Sequence, residues 1–447
     1  MQRADYIICG DYVLTMNDRM DSIKDGAIAV KGAEIIDVDI YENISKKYSS
    51  ENIVGGKGRA VLPGLINTHT HAAMVYFRGL ADDMPLNDWL KNYIWPAENE
   101  WLSNEFVFDA SQLACLEMLK AGVTTFNDMY FFCDSVANAA EKIGMRAVIG
   151  AGIVDFPTKT GNSADDYINN AERFIEKWKK GVRDELITPC IAPHSTYTCS
   201  SETLKKSKKI AERLDVLLHI HLSETEWEVS EVLSRYGKRP IEYLHSIGFL
   251  DERVVAAHCV WVEDREIEML ANHKVGVSHC IESNLKLASG FAPVGAMLKS
   301  GVRVTFGTDG AASNNDLNIL GEMSTAAKVH KAVLKDSVAL DARTIITMAT
   351  RWGAEVLGLG KSVGSIEKGK LADIITINLK VPHLAPIYDV YSHIVYAVMA
   401  SDIETVMVNG RLLINNRMLI TADENSILQK AFEWGRKISL WSNGVKG

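Results

Sequence analysis

The sequence predicts an α/β protein: a (β/α)₈ barrel with a small β-sandwich domain built from both chain ends. Three observations predict it. Between Val61 and Leu357 short apolar runs alternate with longer amphipathic stretches, eight strand–helix units in all, the number in a closed barrel. Strand-rich segments without intervening helices are confined to the regions before and after it. Histidines and one aspartate follow the apolar runs at their C-terminal ends, the rim where a barrel carries its chemistry. The alternative, a doubly wound open sheet, gathers its ligand at one crevice, usually over a glycine-rich phosphate loop, and no such loop is visible.

The chain opens with the β-rich runs Tyr6-Ile7-Ile8 and Tyr12-Val13-Leu14-Thr15, then Ala27-Ile28-Ala29-Val30 and Glu34 to Val38 around the turn signal Lys31-Gly32-Ala33. Residues 41–50 read as a short helix or loop. Residues 1–60 are too little for a core of their own and need a partner from later in the chain. Val61-Leu62-Pro63-Gly64-Leu65-Ile66 reads as a buried strand running into Asn67-Thr68-His69-Thr70-His71. Helices are expected at Phe106–Lys120, Ser135–Ile143, Ala164–Lys180, Ser201–Leu214 with Ser200 as cap, Glu226–Tyr236, Pro240–Ser246, Glu263–Asn272, Pro293–Ser300, Leu317–Lys335 and Ala342–Leu357. The strands between them are Thr124–Asp128, Arg146–Gly150, Ile187–Ala192, Val216–His221, Val254–Ala257, Lys274–Ser278 and Val302–Phe306. The barrel is thus assigned to 61–359. Past Gly360, strands are expected at Ile374–Ile377, Val395–Val398, Glu404–Val408 and Arg411–Ile414, the last two joined at Asn409-Gly410. With 1–60 they make the sandwich. A terminal helix over 423–441 carries Leu428, Phe432, Trp434 and Ile438 as its apolar set.

Composition narrows the function classes. The chain has 447 residues, 47% of them hydrophobic, ample for a large core. A net charge of −9 and a pI near 5.8 argue against nucleic acid and against an anionic membrane surface as partners. No apolar run approaches the roughly 20 residues that cross a bilayer. No secretory signal is visible at the N-terminus. Seven cysteines, scattered and without a CxxC, argue against a disulfide scaffold and fit a reducing cytoplasm.

His69 and His71 stand at i and i+2 in a strand and so point the same way. His194 follows the fourth barrel strand, His219 and His221 end the fifth, His258 the sixth and His279 the seventh, and Asp309 follows the eighth. Any one of these alone is as well explained as a hydrogen-bonded structural residue, and Asp309 in Gly307-Thr308-Asp309-Gly310 as a turn former. Together on one rim they suggest a metal site. Three imidazoles and a carboxylate suit Zn²⁺ with one position open to water. His69, His71, one of His219 and His221, and Asp309 supply that set. Glu224 and His258 are near enough in strand order to move protons. No thiolate stands among them, which disfavours a structural Cys-type zinc.

Seven stretches carry a resemblance: Pro63 to His71, Ala192-Pro193-His194-Ser195, His219-Ile220-His221-Leu222-Ser223-Glu224-Thr225, Ala257-His258-Cys259, Ser278-His279-Cys280, Ser283-Asn284-Leu285-Lys286-Leu287-Ala288-Ser289-Gly290 and Gly307 to Gly310. In these the sequence resembles the amidohydrolase superfamily, and closely its 5′-methylthioadenosine/S-adenosylhomocysteine deaminase branch, over essentially the whole chain. The resemblance implies one divalent metal, with Zn²⁺ favoured and Fe²⁺ or Mn²⁺ compatible. It implies His69, His71, His221 and Asp309 as its ligands, His221 because it opens the HxxE pattern, and leaves His219 a packed, hydrogen-bonded role. Glu224 is implied as the proton donor to a purine ring nitrogen. His258 is implied as the group that orients and deprotonates water, with Asp309 sharing that proton. His194, Glu98 of Trp95-Pro96-Ala97-Glu98, and Trp89 are implied as nucleoside contacts, Glu98 on the ribose hydroxyls. The implied reaction is deamination at C6 of an adenosine-type nucleoside. The metal motifs are specific for the superfamily and much less so for the substrate. Other electron-poor rings, as in guanine deaminase or chloro-s-triazine hydrolase, are the alternative, and a non-catalytic metal protein a remote one.

A homocysteine tail calls for an arginine clamp. The segment Asp155 to Thr160 that reaches the rim offers only Lys159, and Arg146 stands at the wrong end of its strand. Small 5′ groups are therefore favoured, as in 5′-deoxyadenosine and 5′-methylthioadenosine, with S-adenosylhomocysteine and adenosine also considered. A homodimer or homotetramer is expected, from the family and from Tyr130-Phe131-Phe132 read as exposed aromatics beside the site, with a pocket lid as the alternative reading of that run.

Overall fold

The computed structural model describes residues 1–181 and 185–445. Eight parallel strands, hydrogen-bonded in chain order, form the barrel: Leu65–Thr70, Val123–Tyr130, Arg146–Ile153, Ile187–Pro193, Leu218–Leu222, Val254–His258, Gly276–His279 and Arg303–Phe306. Each is buried on both faces because helices cover it outside and side chains fill it inside, hence the apolar runs in the sequence, with buried polar residues such as Asn67, Thr68, Asn127 and Asp128 in the first two strands. The first and last strands meet through side chains rather than a regular ladder. Thr68 Oγ1 lies 2.7 Å from Thr305 Oγ1, Asn67 Nδ2 donates to Thr308 Oγ1 at 2.8 Å, and the Asp309 N–H donates to the His69 carbonyl at 3.1 Å. That seam carries two of the expected metal ligands, so closing the barrel and building the site are one event.

The chain ends share a second, eight-stranded sheet. Its spatial order is Met418–Leu419, Arg411–Asn415, Ile403–Val408, Ile374–Asn378, Ile53–Pro63, Tyr6–Leu14, Ser22–Lys31 and Glu34–Ile40. The ends join where Ile374 pairs with Pro63 and Ile375 with Leu62, antiparallel. Period-two alternation sorts its side chains: Ile8, Ile28, Val30 and Val61 pack with Ile374 and Met407, whereas Ile7, Cys9, Ala27 and Ala29 pack with Ile44 of the helix Tyr41–Lys47. Neither end could bury these faces alone.

Three expectations change. Val61-Leu62-Pro63, expected in the first barrel strand, closes the long strand of the terminal sheet, and the barrel strand starts at Leu65. Gly64 makes the crossing, where a Cβ would lie 2.0 Å from Thr124 Oγ1. Val395–Val398, expected as a strand, lies on and just past the helix Val390–Tyr396. Asp389 caps that helix, accepting from the Tyr391 and Ser392 amides, and Val390, Ile394 and Val395 form its buried face; β-branched residues read as strand until the cap is seen. The terminal helix Glu424–Val445 buries Ile427, Trp434 and Ile438, while Phe432 is 71% exposed and Leu428 points outward too.

Arg146 joins the two bodies. Its guanidinium makes a two-pronged pair with Asp373, Nε to Oδ2 at 2.8 Å and Nη2 to Oδ1 at 3.0 Å, and donates to the Glu185 carbonyl. It is a structural clamp at the closed end of the barrel, opposite the rim. Among the described residues no helix is long and apolar enough to cross a membrane.

Candidate active site

The C-terminal ends of the barrel strands deliver the polar residues to one point. His69 and His71 come from the first strand, His221 from the fifth, His258 from the sixth and Asp309 from just past the eighth. His258 and Asp309 have left-handed backbone, with φ of 74° and 60°, as does Ser223 beside Glu224, at 52°. Non-glycine residues hold that conformation where the surroundings impose it, commonly at functional sites.

Hydrogen bonds orient each ring. His71 Nδ1–H donates to the Met129 carbonyl at 2.5 Å and His221 Nδ1–H to the His194 carbonyl at 2.8 Å. His69 Nδ1 is 2.8 Å from His219 Nε2, which gives His219 the packed, hydrogen-bonded role expected for it. The Nε2 atoms of His71 and His221 therefore turn inward with their lone pairs, and His69 Nε2 faces the same point. His71 Nε2 lies 3.2 Å from both His221 Nε2 and Asp309 Oδ1. His69 Nε2 lies 3.4 Å from the same oxygen and is buried without a hydrogen-bond partner. Two imidazole lone pairs facing each other at that separation repel unless a cation sits between them, so the donor set fits a divalent metal. His258 belongs to the same centre: donor atoms of His69, His221, His258 and Asp309 all lie within 4.8 Å of one another. Five candidate groups thus surround one point, one more than the expected ligand set.

Glu224 is buried, with Oε2 3.8 Å from His258 Nε2. Burial raises its carboxyl above the usual range, against the pull of His258. Its peptide is held by Glu228, whose carboxylate accepts from the Ser223 and Glu224 amides at 3.1 and 2.8 Å. Glu228 is itself pushed up to about 7 by burial.

A cavity of about 330 Å³ leads from this centre to the surface, of a size for a small-molecule ligand. His71, His194, His221, Glu224, His258 and Asp309 form its floor and Trp89, Trp95, Glu98, Tyr130 and Phe156 part of its wall. Trp89 is locked by its indole N–H to the Ala81 carbonyl at 3.0 Å. Burial pushes Glu98 up to about 7, although the Tyr130 hydroxyl donates to it at 2.7 Å. His194 packs its ring 4.6 Å from that of His221. Lys159 stands in the wall, and no arginine joins it there among the described residues.

Not every expectation survives at the rim. His279 is buried outside the cavity wall, paired with His330 at 3.2 Å between Nε2 atoms. Tyr130 and Phe131 face the cavity and Phe132 is half-buried, so this aromatic run is pocket wall rather than an exposed surface for another subunit. Sequence reasoning missed the bond from Tyr130 to Glu98, and missed Glu228 altogether. Neither lies in a motif, and Glu228, one helical turn beyond Glu224, looks like surface charge.

A parallel barrel with a buried imidazole–carboxylate cluster and a cavity at its C-terminal rim defines a metal-dependent barrel enzyme. Comparison with known proteins agrees. The model of the amidohydrolase family matches residues 60–413. The chain is 54% identical over 435 residues to a 5-methylthioadenosine/S-adenosylhomocysteine deaminase of Thermodesulfovibrio yellowstonii, covering 97% of this chain and 98% of that one. It is 44% identical over 428 residues to a 5′-deoxyadenosine deaminase of Methanosarcina acetivorans, covering 96% and 97%. The crystal structure of an adenosine deaminase from Xanthomonas campestris with bound zinc superposes with a TM-score of 0.96 at 37% identity, covering 98% and 99%. The chain belongs to the amidohydrolase family.

Proposed function

We propose that this enzyme hydrolyses the amino group from C6 of adenosine-type nucleosides, 5′-deoxyadenosine and 5′-methylthioadenosine foremost, with S-adenosylhomocysteine and adenosine as further substrates. Water enters, ammonia leaves and the inosine analogue remains. The observation that carries this reading is a buried carboxyl, Glu224, raised above its usual range by burial and within reach of both the imidazole–carboxylate centre and the cavity. The names of the relatives support it.

His69, His71, His221 and Asp309 would hold the metal, Zn²⁺ in our reading, with Fe²⁺ or Mn²⁺ compatible with the same donors. When bound, the ion lowers the pKa of a coordinated water toward neutrality. The protein's own groups do the rest. His258 Nε2 faces the centre and takes a proton from water. Glu224 protonates ring nitrogen N1, so that no bare anion builds up as C6 becomes tetrahedral. Asp309 shares the proton taken from water with His258 and returns it to the departing amine, and the C6 hydroxyl gives its own proton to Glu224 as the carbonyl forms. Glu98 accepts from the ribose hydroxyls, Trp89 walls the nucleoside and His194 flanks it. A ribose contact at Glu98 favours a nucleoside over a free base or a triazine. The apolar wall, with Lys159 as its one cation among the described residues, suits small uncharged 5′ groups.

The domain division proposed is the expected one, a barrel over 61–359 and a small β domain from 1–60 and 360–447, with the first boundary moved to Gly64 because Ile53–Pro63 is one strand of the terminal sheet. The chain is placed in the cytoplasm, its seven thiols free and six of them buried. It self-associates as a dimer or tetramer, supported now by Phe432 and Leu440, 71% and 77% exposed on the terminal helix. Metal analysis plus loss of adenine absorbance on each of the four nucleosides tests the activity. Light scattering tests the assembly. A metal-loaded protein inert on all four nucleosides, or a monomer mass at micromolar concentration, refutes the corresponding statement.

A further inference from the structure

The Ser283-Asn284 pair lies outside the cavity wall, yet both side chains reach groups that handle protons. They sit on the short helix Ile281–Lys286 that leaves the seventh barrel strand, at 0% and 1% exposure. Ser283 Oγ donates to Asp309 Oδ2 at 2.7 Å, and Ser313 Oγ donates to the same oxygen at 2.6 Å. Two hydroxyl donors occupy Oδ2. Oδ1 is then the oxygen that faces His69 and His71. Asn284 Oδ1 lies 2.9 Å from His258 Nδ1. An amide oxygen only accepts, so Nδ1 carries the hydrogen and Nε2 keeps its lone pair on the side of Glu224. The reverse amide orientation would present N–H to Nδ1, move the ring hydrogen to Nε2 and leave His258 unable to take a proton there.

Asn284 Nδ2 is buried with no partner among the described residues. An unpaired buried donor is costly, and a leucine would fill the same volume without it. The bond made by the amide oxygen explains the residue.

We propose that Ser283-Asn284 is an orienting pair: Asn284 sets the His258 tautomer in which Nε2 accepts a proton, and Ser283, with Ser313, selects the Asp309 oxygen that faces the centre. Both are positioning residues, and the inference deepens the deaminase reading on which it rests.

The test uses the full chain, with and without Zn²⁺. In protein carrying ¹⁵N-histidine, two-bond ¹H–¹⁵N spectra should show His258, assigned by its loss in His258→Gln, in the Nδ1–H pattern. This needs no Asn284 variant and no turnover. An Nε2–H pattern in the wild-type protein overturns the proposal. If the Nδ1–H pattern is found in a protein inert on nucleosides, the orienting role stands and the deaminase reading falls. Asn284→Leu should lose the pattern, keep metal and KM, and drop kcat about 10–100-fold, the range for losing an outer partner. Asn284→Asp keeps an acceptor and should recover most of kcat at alkaline pH. Equal losses in the two variants, or a wild-type rate in Asn284→Leu, would also overturn it. Ser283→Ala should weaken Zn²⁺ retention about 10-fold in chelator competition, and unchanged retention removes Ser283 from the pair.

Discussion

Replacing Glu224 by glutamine isolates proton delivery from everything else in the site. The residue is 7% exposed, and glutamine keeps its volume and a hydrogen-bond donor but has no transferable proton. Glu224 stands 3.8 Å from His258 and outside the five groups around the metal position, His69, His71, His221, His258 and Asp309. Metal content should therefore survive and KM should change little. Burial, which raises the carboxyl above its usual range, also keeps bulk acid from substituting for it. The loss in kcat should lie in the range for a missing acid–base group, about 10²–10⁴-fold. That is about 2.7–5.5 kcal/mol of transition-state stabilisation. His221→Ala, by contrast, removes a ring oriented by the His194 carbonyl, and metal and activity should disappear together. The assay is metal analysis and steady-state kinetics of both variants on 5′-deoxyadenosine and 5′-methylthioadenosine. Near-normal turnover in Glu224→Gln would take Glu224 out of the proton path. Loss of metal in that variant would make it a ligand and reopen the place of Asp309.

The other predictions test the frame and its charges. Arg146→Met leaves Asp373, whose side chain is 2% exposed, charged without its partner, and should cost about 3–5 kcal/mol in denaturant unfolding; a cost below about 1 kcal/mol would mean that the pair does not clamp the barrel to the sheet. Deleting residues 1–40 strips three strands from the terminal sheet and bares one edge of Ile53–Pro63, so hydrogen exchange should rise in Ile374–Asn378 and Ile403–Val408 as well; unchanged protection there would show that the chain ends are independent. Glu98 has a folded pKa raised to about 7 from an ordinary 4.5, so the folded state is favoured most below 4.5 and loses that advantage as pH rises through 7. Glu98→Gln should flatten the fall in stability between pH 5 and 7, by at most about 1.4 kcal/mol per pH unit, and raise KM for nucleosides; an unchanged slope would mean that Glu98 is already ionised at pH 5.

Local sequence determined the eight strands, most helix ends and the residues at the rim. Apolar periodicity and caps act within a few residues, as at Ser200, whose side chain accepts from the Thr203 amide and starts the helix Ser201–Leu214 where it was expected. The His69/His71 pair shares a direction because strand side chains alternate, which needs no partner to be known. Tertiary structure decided what depends on contacts between distant segments. Pro63 belongs to the terminal sheet because Ile374, more than 300 positions away, pairs with it. Val390–Tyr396 is a helix because its apolar face is buried against other elements, and β-branched composition alone favours a strand there. Tyr130 turned from surface to cavity wall because the segment carrying Glu98 folds over the rim to meet its hydroxyl. His279 carries the same sequence signal as His258, a histidine ending a barrel strand. One faces Glu224 and the other His330, and only the packing of the surrounding helices separates a histidine of the candidate site from a buried structural pair.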